Sequence, residues 1–335
     1  MDTKEILKKF WFVALIAVLF VVFIVVYAVN MISSKPVEKT AKQVDGQYII
    51  YSINGENYTA DELYDDLKNS YGLTATYRKF DSIVCDKAIE TTTEMKNIAS
   101  SNASYLLSYY GKENLDKQLQ SLGYAGADNA YDYYIYLLKS QQLRTDYLKE
   151  HEAEYVTPYI KENNPKIISH ILVKVADVEK ITDEDGNVTL KANPTAEEEQ
   201  KLNNVLEALK TKSFAEVATE YSDDTSASNG GYLGYFDNTN TSYVDTFKEA
   251  AKTVHEGETT EAFVSEYGYH IIYCDTESLE DLYASTDFLN AIFNSNTNLY
   301  NRPLVEKANE LGIKVTDEEL NKLLMAAINP EEVTE

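Results

Sequence analysis

Cysteine is scarce in this sequence of 335 residues: only Cys85 and Cys274 occur, and they lie far apart. Their separation excludes a CxxC redox motif and the paired spacing of a zinc site. They are either two separate buried thiols or, as the less favoured alternative, one disulfide. No cysteine closely follows the N-terminal apolar segment, which excludes a lipoprotein anchor.

Lysine and arginine are also few, with 30 of them against 55 acidic residues and a net charge of -25. Binding to nucleic acid requires clustered basic residues, so we expect no nucleic-acid partner. The excess of acidic residues fits a soluble protein that binds aggregation-prone client proteins, although a role in solubility alone is the simpler interpretation. No Lys-Ser/Thr pair follows Gly230, Gly231 and Gly234, which excludes a phosphate loop. The sequence also lacks the Gly-x-Ser-x-Gly elbow of a serine hydrolase.

Residues 10–32 form one apolar run without Asp, Glu, Lys, Arg, Pro or Gly. A helix of this length spans roughly 34 Å, enough to cross a bilayer. The run predicts an uncleaved transmembrane anchor, with a cleaved signal peptide as the alternative. Basic residues flank both ends, but the long acidic remainder favours translocation of the C-terminal side. We therefore expect a cytoplasmic tail at 1–9, a linker at 33–46, and a single-pass protein of the cell membrane with extracytoplasmic C-terminal domains.

The region at residues 47–164 is predicted to be mostly helical. It begins with a strand over 47–53 and an Asn54-Gly55 hairpin turn. Thr59 then opens a capping box with Glu62. Apolar residues recur at helical spacing in three stretches that follow this cap. We expect these helices at Thr59 to Tyr71, 76–108 and 128–152.

Asn163-Asn164-Pro165 marks the boundary to a region of different pattern. Residues 165–277 follow the order β-α-α-β-α-β-β, which predicts an α+β fold with a small antiparallel sheet. Asp185-Gly186 in this region predicts a hairpin turn rather than a calcium loop, because the ligand spacing of a calcium loop is missing. Residues 278–335 carry further helical segments, at 279–294, 301–311 and 316–327, the last with Thr316 as its predicted cap.

Several short motifs between Lys166 and Thr276 occur in a defined order. They are His170-Ile171-Leu172-Val173, Tyr221-Ser222-Asp223-Asp224, Gly230-Gly231-Tyr232-Leu233-Gly234-Tyr235-Phe236, Phe247-Lys248-Glu249-Ala250-Ala251 and the segment 263–272. In this order they resemble the parvulin family of peptidyl-prolyl cis/trans isomerases. The layout of strand, turn and helices before them is similar to the chaperone region of the PrsA and SurA foldases.

The resemblance implies an architecture for the whole chain. A parvulin domain at 165–277, with a small antiparallel sheet and surrounding helices, would be inserted into a mostly helical chaperone domain. The N-terminal part of that chaperone domain would be residues 47–164, and residues 278–335 would complete it. The plain alternative is that 278–335 form a separate helical tail.

The resemblance also implies a proline-binding pocket made by Leu233, Tyr243 and Phe247. Tyr243 and Phe247 are one turn apart on the helix predicted over 243–254, so they would share a face. Core packing is the alternative role for Phe247. Tyr243 stands where the family usually has Met, which would narrow the pocket or add a hydroxyl to its rim.

Four polar residues match the family's catalytic positions. His170 and His270 correspond to two family histidines on neighbouring strands, and Ser265 stands where a hydroxyl joins their hydrogen-bond network. Asp224 takes a position held by Cys or Asp in the family. The alternatives are a buried histidine pair that only fixes the strands, and an Asp224 that only caps the following turn. No Lys/Arg cluster flanks Asp224, so we expect no preference for phosphorylated Ser/Thr-Pro.

Rotation about an X-Pro bond faces a barrier of about 18–20 kcal/mol that arises from amide resonance. A catalyst has to bind the twisted amide more tightly than the planar one, so we expect neither a metal nor a cofactor. The predicted function is a membrane-anchored foldase that isomerises X-Pro bonds in unfolded or newly exported polypeptides, with a homodimer left open. One alternative is a holdase whose parvulin domain is inactive. Another is a structural membrane protein that uses the domain as a docking surface.

Overall fold

The computed structural model of the chain describes residues 42–182 and 188–329. The predicted cytoplasmic tail, the transmembrane helix at 10–32 and most of the linker lie outside these ranges, as does the Asp185-Gly186 turn. Among the helices of the described ranges, none has the length and apolarity needed to span a membrane. The chain divides into two compact units, with the boundary between Gly72 and Leu73.

The first unit contains a small antiparallel sheet with the order β1-β2-β3. Its strands are β1 (Gln43–Val44), β2 (Gln47–Ile53) and β3 (Glu56–Thr59). The predicted Asn54-Gly55 turn joins β2 to β3. Thr59 and Glu62 form the predicted capping box: the Glu62 amide donates to Thr59 Oγ1 at 3.2 Å, and the Thr59 amide donates to Glu62 Oε2 at 2.8 Å. Helix α1 (Ala60–Ala88) begins at this cap.

Helix α1 corrects the prediction of a break between Tyr71 and residue 76, because it runs without interruption through Gly72. A glycine inside a helix costs only about 1 kcal/mol, so helical neighbours on both sides outweigh it. The break falls at residues 89–92 instead, where Thr92 Oγ1 accepts from the Met95 amide at 3.1 Å and starts α2. The helices that follow are α2 (Thr93–Ser121), α3 (Ala130–Glu150) and α4 (Thr157–Asn163).

Within residues 278–329 the chain forms four α-helices. They are α8 (Leu279–Ala284), α9 (Thr286–Ser295), α10 (Arg302–Glu310) and α11 (Glu318–Ile328). The helix predicted over 279–294 is therefore split, because Ser285 stops α8 and caps α9 by accepting from the Phe288 amide at 3.4 Å. The cap predicted at Thr316 is also wrong: Asp317 Oδ1 accepts from the Leu320 amide at 2.9 Å.

The C-terminal helices pack against helices from the N-terminal half of the second unit. One core contains buried residues of α1, α3, α10 and α11, namely Phe80, Val84, Cys85, Leu143, Leu304, Val305, Ala308, Leu324 and Ile328. Cys85 lies in this core, whereas Cys274 lies in the core of the α+β domain, and both are free buried thiols. The disulfide alternative is therefore not adopted in this structure.

The region after Pro165 is an α+β domain built on an antiparallel sheet with the order β7-β4-β9-β8. Its strands are β4 (Lys166–Lys174), β7 (Tyr232–Phe236), β8 (Phe263–Ser265) and β9 (Gly268–Thr276). Its helices are α5 (Ala196–Ala208), α6 (Phe214–Tyr221) and α7 (Asp245–Thr253). A separate hairpin, β5 (Val178–Thr182) paired with β6 (Val188–Ala192), lies between β4 and α5.

Side chains of the central strand β4 point alternately to the two faces of the sheet, and helices cover both faces. Ile171 and Val173 of β4 pack against α5 and α6 in one core. Ile168 of β4 packs against α7 in a second core, together with Phe247 and Ala251. Successive strand residues point to opposite faces, so the face that carries Ile168 also carries His170. Strand β4 brings the chain into the domain and β9 leads it out. The two strands are paired at the domain boundary, where Ile167 lies opposite Thr276.

A buried polar junction joins α4 to the end of β7. Asp237, which is 3% exposed, accepts hydrogen bonds at Oδ2 from the hydroxyls of Tyr159 at 2.5 Å and Tyr235 at 2.7 Å. Its Oδ1 accepts from the amide of Thr239 at 2.8 Å. Both oxygens of the carboxylate thus accept hydrogen bonds, and they fix the start of the loop that leads to α7.

Candidate functional site

The two histidines predicted from the sequence lie side by side on neighbouring strands. His170 of β4 is paired with Ile272, and His270 of β9 is paired with Leu172, so the histidines are diagonal neighbours on one face. Their ring centroids are 5.6 Å apart with an interplanar angle of 25°. The two Nδ1 atoms are 3.4 Å apart, and both side chains are buried.

Ser265 continues this contact at the far side of His270. Its Oγ lies 2.6 Å from His270 Nε2 and also accepts from the Tyr267 amide at 3.1 Å. The tight turn into β9 makes this possible, because Gly268 has φ +130 and a Cβ there would lie 2.3 Å from the Val173 carbonyl oxygen. A side chain at this position would push β9 away from β4.

Asp224 lies at the opposite end, beside His170. It precedes a short 3-10 helix (Thr225–Asn229), and its Oδ1 accepts from the Ser226 amide at 2.8 Å. The same oxygen is 3.2 Å from His170 Nε2, at ion-pair distance but without the alignment of a hydrogen bond. Burial raises the pKa of Asp224, but the hydrogen bonds from Ser226 and the proximity of His170 outweigh it and lower the pKa to about 2.

These contacts place four polar side chains in a row. An ionised Asp224 can only accept, and its Oδ1 faces His170 Nε2. The two Nδ1 atoms meet between the rings, and His270 Nε2 and the Ser265 hydroxyl share the next hydrogen bond. Burial and the neighbouring His170 lower the pKa of His270 to about 4, against a small opposing effect of Asp224, so His270 is neutral at neutral pH.

Aromatic side chains close the space beside the histidines. Phe247 of α7 meets both imidazoles edge-on, with centroid distances of 5.7 Å to His170 and 5.7 Å to His270. Phe263 stacks on His270 at 5.5 Å with an interplanar angle of 19°. Leu233 and Tyr243 pack, half-buried, against the same core as Phe247. The structure thus brings the four polar and the three apolar residues predicted from the sequence into one region.

One detail of the predicted pocket needs correction, the start of its helix. Tyr243 is not part of the helix predicted over 243–254, because α7 begins at Asp245 and Val244 is its extended N-cap. Phe247 is also nearly enclosed, with 2% of its surface exposed. The Tyr243 ring stacks on it, with centroids 4.6 Å apart and an interplanar angle of 22°.

Comparison with known proteins agrees with this geometry. The family model described as Rotamase, PPIC-type PPIASE domain, matches residues 170–276. The foldase protein PrsA of Geobacillus kaustophilus is 30% identical over 234 residues, which cover 68% of this chain and 70% of that protein. The chain belongs to the PrsA foldase family. Its residues 170–276 are a parvulin-type peptidyl-prolyl isomerase domain.

Two further PrsA comparisons describe the extent of the likeness. The foldase protein PrsA of Bacillus subtilis is 28% identical over 233 residues, which cover 67% of this chain and 66% of that protein. The crystal structure of Bacillus subtilis PrsA superposes with a TM-score of 0.45 and 22% identity, over 82% of this chain and 96% of that one. The chain thus spans about two thirds of the length of the PrsA sequences that it matches.

Phe263 belongs to the PrsA-family site but was not among the site residues predicted from the sequence, and Gly231 of the glycine-rich motif holds the strand next to it. Phe263 precedes Ser265 by two positions in β8, so the alternation of a strand places both on the face of His270. Gly231 has φ +80, and a Cβ there would lie 2.3 Å from the His170 carbonyl oxygen. The His170 amide donates to the Gly231 carbonyl at 2.9 Å, which fixes the backbone of β4. Period-two spacing would have indicated Phe263, and the glycine-rich motif is the signal for the close backbone approach at Gly231.

In the described ranges, no three His, Cys, Asp or Glu side chains converge as metal ligands. The site therefore offers a chain of hydrogen-bonding groups beside an aromatic cluster. Such an arrangement can bind an apolar ring and a polar amide at the same time.

Proposed function

We propose that this PrsA-family chain is a membrane-anchored, extracytoplasmic foldase that isomerises X-Pro bonds in unfolded, newly exported polypeptides. The observation that carries the proposal is the row of polar side chains Asp224, His170, His270 and Ser265, each in contact with the next, beside the ring of Phe247. The catalytic assignments of these residues are part of the proposal.

Catalysis at this site requires no covalent step. The apolar side chains of Leu233 and Phe247 hold the prolyl ring, with Tyr243 at the rim of the pocket, while the amide carbonyl turns beside the polar groups. The planar amide owes its stiffness to the resonance form with a negative oxygen. The ionised Asp224 carboxylate opposes that form, which lowers the double-bond character of the C–N bond. The imidazoles of His170 and His270 keep Asp224 and Ser265 in fixed positions, so the twisted amide is bound better than the planar one.

The rest of the chain supplies location and client binding. Residues 10–32 anchor the protein in the cell membrane as a single-pass span, with residues 1–9 in the cytoplasm. Residues 47–164 form the N-terminal part of the chaperone domain, and residues 278–335 complete it. The shared core of α1, α3, α10 and α11 supports this arrangement. Exported polypeptides would be held by the helical body while their X-Pro bonds enter the isomerase domain.

An isomerase assay on short X-Pro peptides, combined with refolding of a protein limited by proline isomerisation, tests the proposal. We expect Phe247→Leu to lower kcat/KM by about tenfold or more, because a changed contact in an apolar pocket alters selectivity by about 10- to 200-fold. The control is Phe293→Leu, which makes the same change at a buried phenylalanine of α9 and should keep the activity. Equal activity of the two variants would contradict the assignment of the pocket.

A non-catalytic holdase is the second candidate, because Tyr243 covers Phe247 and leaves it 2% exposed. The holdase predicts suppression of aggregation by the full chain without any acceleration of X-Pro isomerisation. Measuring both activities on one preparation separates the two functions.

A further inference from the structure

Tyr243 occupies the face of Phe247 that a bound ring would need. Both imidazoles meet Phe247 edge-on, at 76° and 84°, and Phe263 is tilted at 65°. Tyr243 alone of these four rings is stacked on it, at 22° and 4.6 Å. Phe247 is 2% exposed while Tyr243 is only half-buried, so Tyr243 is the outer ring of the pair.

Tyr243 lies outside helix α7, and its ring contacts Phe236 as well as Phe247, with centroids 6.2 Å apart for the Phe236 pair. It belongs to the loop between β7 and α7, and the extended Val244 that follows separates it from the helix. The loop backbone before it is fixed, because Asp237 accepts from the Thr239 amide and Asn240 Oδ1 accepts from the Ser242 amide at 2.8 Å. Rotation of the ring would therefore break its contacts with Phe247 and Phe236 without breaking a helix or a backbone hydrogen bond.

We propose that Tyr243 is a gate on the proline pocket: in the resting domain its ring takes the place of a prolyl ring on Phe247, and an X-Pro substrate must displace it. This inference rests on the proposed function, and it names the residue that sets the threshold for substrate entry. A stacked aromatic pair contributes enough to favour the closed state by about 2- to 12-fold. The apparent affinity for substrate is the affinity of the open state multiplied by the fraction of molecules that are open.

The gate and a fixed pocket wall predict opposite effects of removing the ring. If Tyr243 is a gate, Tyr243→Ala frees Phe247, and its KM is about 2- to 12-fold lower than that of Tyr243→Phe, which keeps the stacking ring. If Tyr243 is a wall, Tyr243→Ala loses a substrate contact and its KM is higher than that of Tyr243→Phe. A higher KM overturns the proposal. Tyr109→Ala, at an exposed tyrosine of α2, controls for the loss of any tyrosine ring.

A second measurement detects the ring movement directly, whatever the stability of the variants. The full-length chain is labelled with 3-fluorotyrosine, and the Tyr243 signal is assigned by its loss in Tyr243→Phe. We expect a saturating X-Pro peptide to shift this signal as the ring leaves Phe247, and the matching X-Ala peptide to leave it in place.

The two measurements separate failure of the gate from failure of the proposed function. An unmoved Tyr243 signal in a sample that isomerises the X-Pro peptide overturns the gate and leaves the isomerase intact. A shifted signal without isomerisation in any variant supports the gate and contradicts the catalytic function.

Discussion

Asp224 has two roles in the structure, and one substitution separates them. Its Oδ1 caps the short helix at Thr225–Asn229 through the Ser226 amide, and its charge faces His170 at 3.2 Å. Asp224→Asn keeps a capping oxygen, since Asn and Asp are equally good N-caps, but removes the charge. Asp224→Ala removes both.

The expected magnitudes differ for stability and for catalysis. Loss of an N-cap costs about 1 kcal/mol of unfolding free energy, so we expect that loss in Asp224→Ala and little change in Asp224→Asn. Two charges about 4 Å apart interact with about 1 kcal/mol in water and about 4 kcal/mol near a protein surface, and about 1.4 kcal/mol corresponds to tenfold in rate. Both variants should therefore lose about tenfold in kcat/KM if the carboxylate charge acts on the turning amide.

Peptide isomerisation and urea unfolding of the two variants provide the measurement. The matched control is Asp317→Asn, the same change at the N-cap of α11. Full activity in Asp224→Asn, together with lost activity in Asp224→Ala, would show that Asp224 only caps the turn. The electrostatic part of the proposed mechanism would then be refuted.

Two further predictions concern pH and the buried junction. Because the pKa of His270 is lowered from its usual 6.5 to about 4 in the fold, the unfolded chain binds the proton more tightly in this window. The free energy of unfolding should therefore fall as the pH drops from about 6.5 toward 4, by at most about 3 kcal/mol. A His270→Asn variant should lose this part of the pH dependence in urea titrations, and an unchanged dependence would contradict the buried neutral imidazole. Asp237→Ala leaves the hydroxyls of Tyr159 and Tyr235 without their acceptor and should destabilise the chain by about 2–4 kcal/mol. A loss below about 0.5 kcal/mol in chemical denaturation would show that water replaces the carboxylate.

Part of this fold could be predicted from the sequence because it depends on interactions between neighbouring residues. The capping box at Thr59 and Glu62 and the strand–turn pattern that follows Gln47 depend on neighbouring residues only, and the structure has both. The ordered motifs between Lys166 and Thr276 predicted the domain that the family model matches. Their spacing also led to the residues that the structure brings together around His270.

The errors arose where tertiary contacts decide between local alternatives. A glycine such as Gly72 is compatible with a break or with a helix, and only its surroundings determine which one forms. Ser285 and Asp317 can each cap a helix, but the helical periodicity around them does not show where one helix ends. Tyr243 and Phe247 share a face at helical spacing, yet the rings stack although Tyr243 precedes the helix.

The pairing of Ile167 with Thr276 places the two connections of the isomerase domain next to each other. Directly opposed residues of antiparallel strands have Cα atoms only about 4.5–5.5 Å apart. The two connections of the domain are therefore adjacent, and its removal leaves two chain ends that a few glycine and serine residues can rejoin. Exchange for another domain with adjacent termini then requires redesign only of the surface around Tyr159, which bonds Asp237 across the boundary.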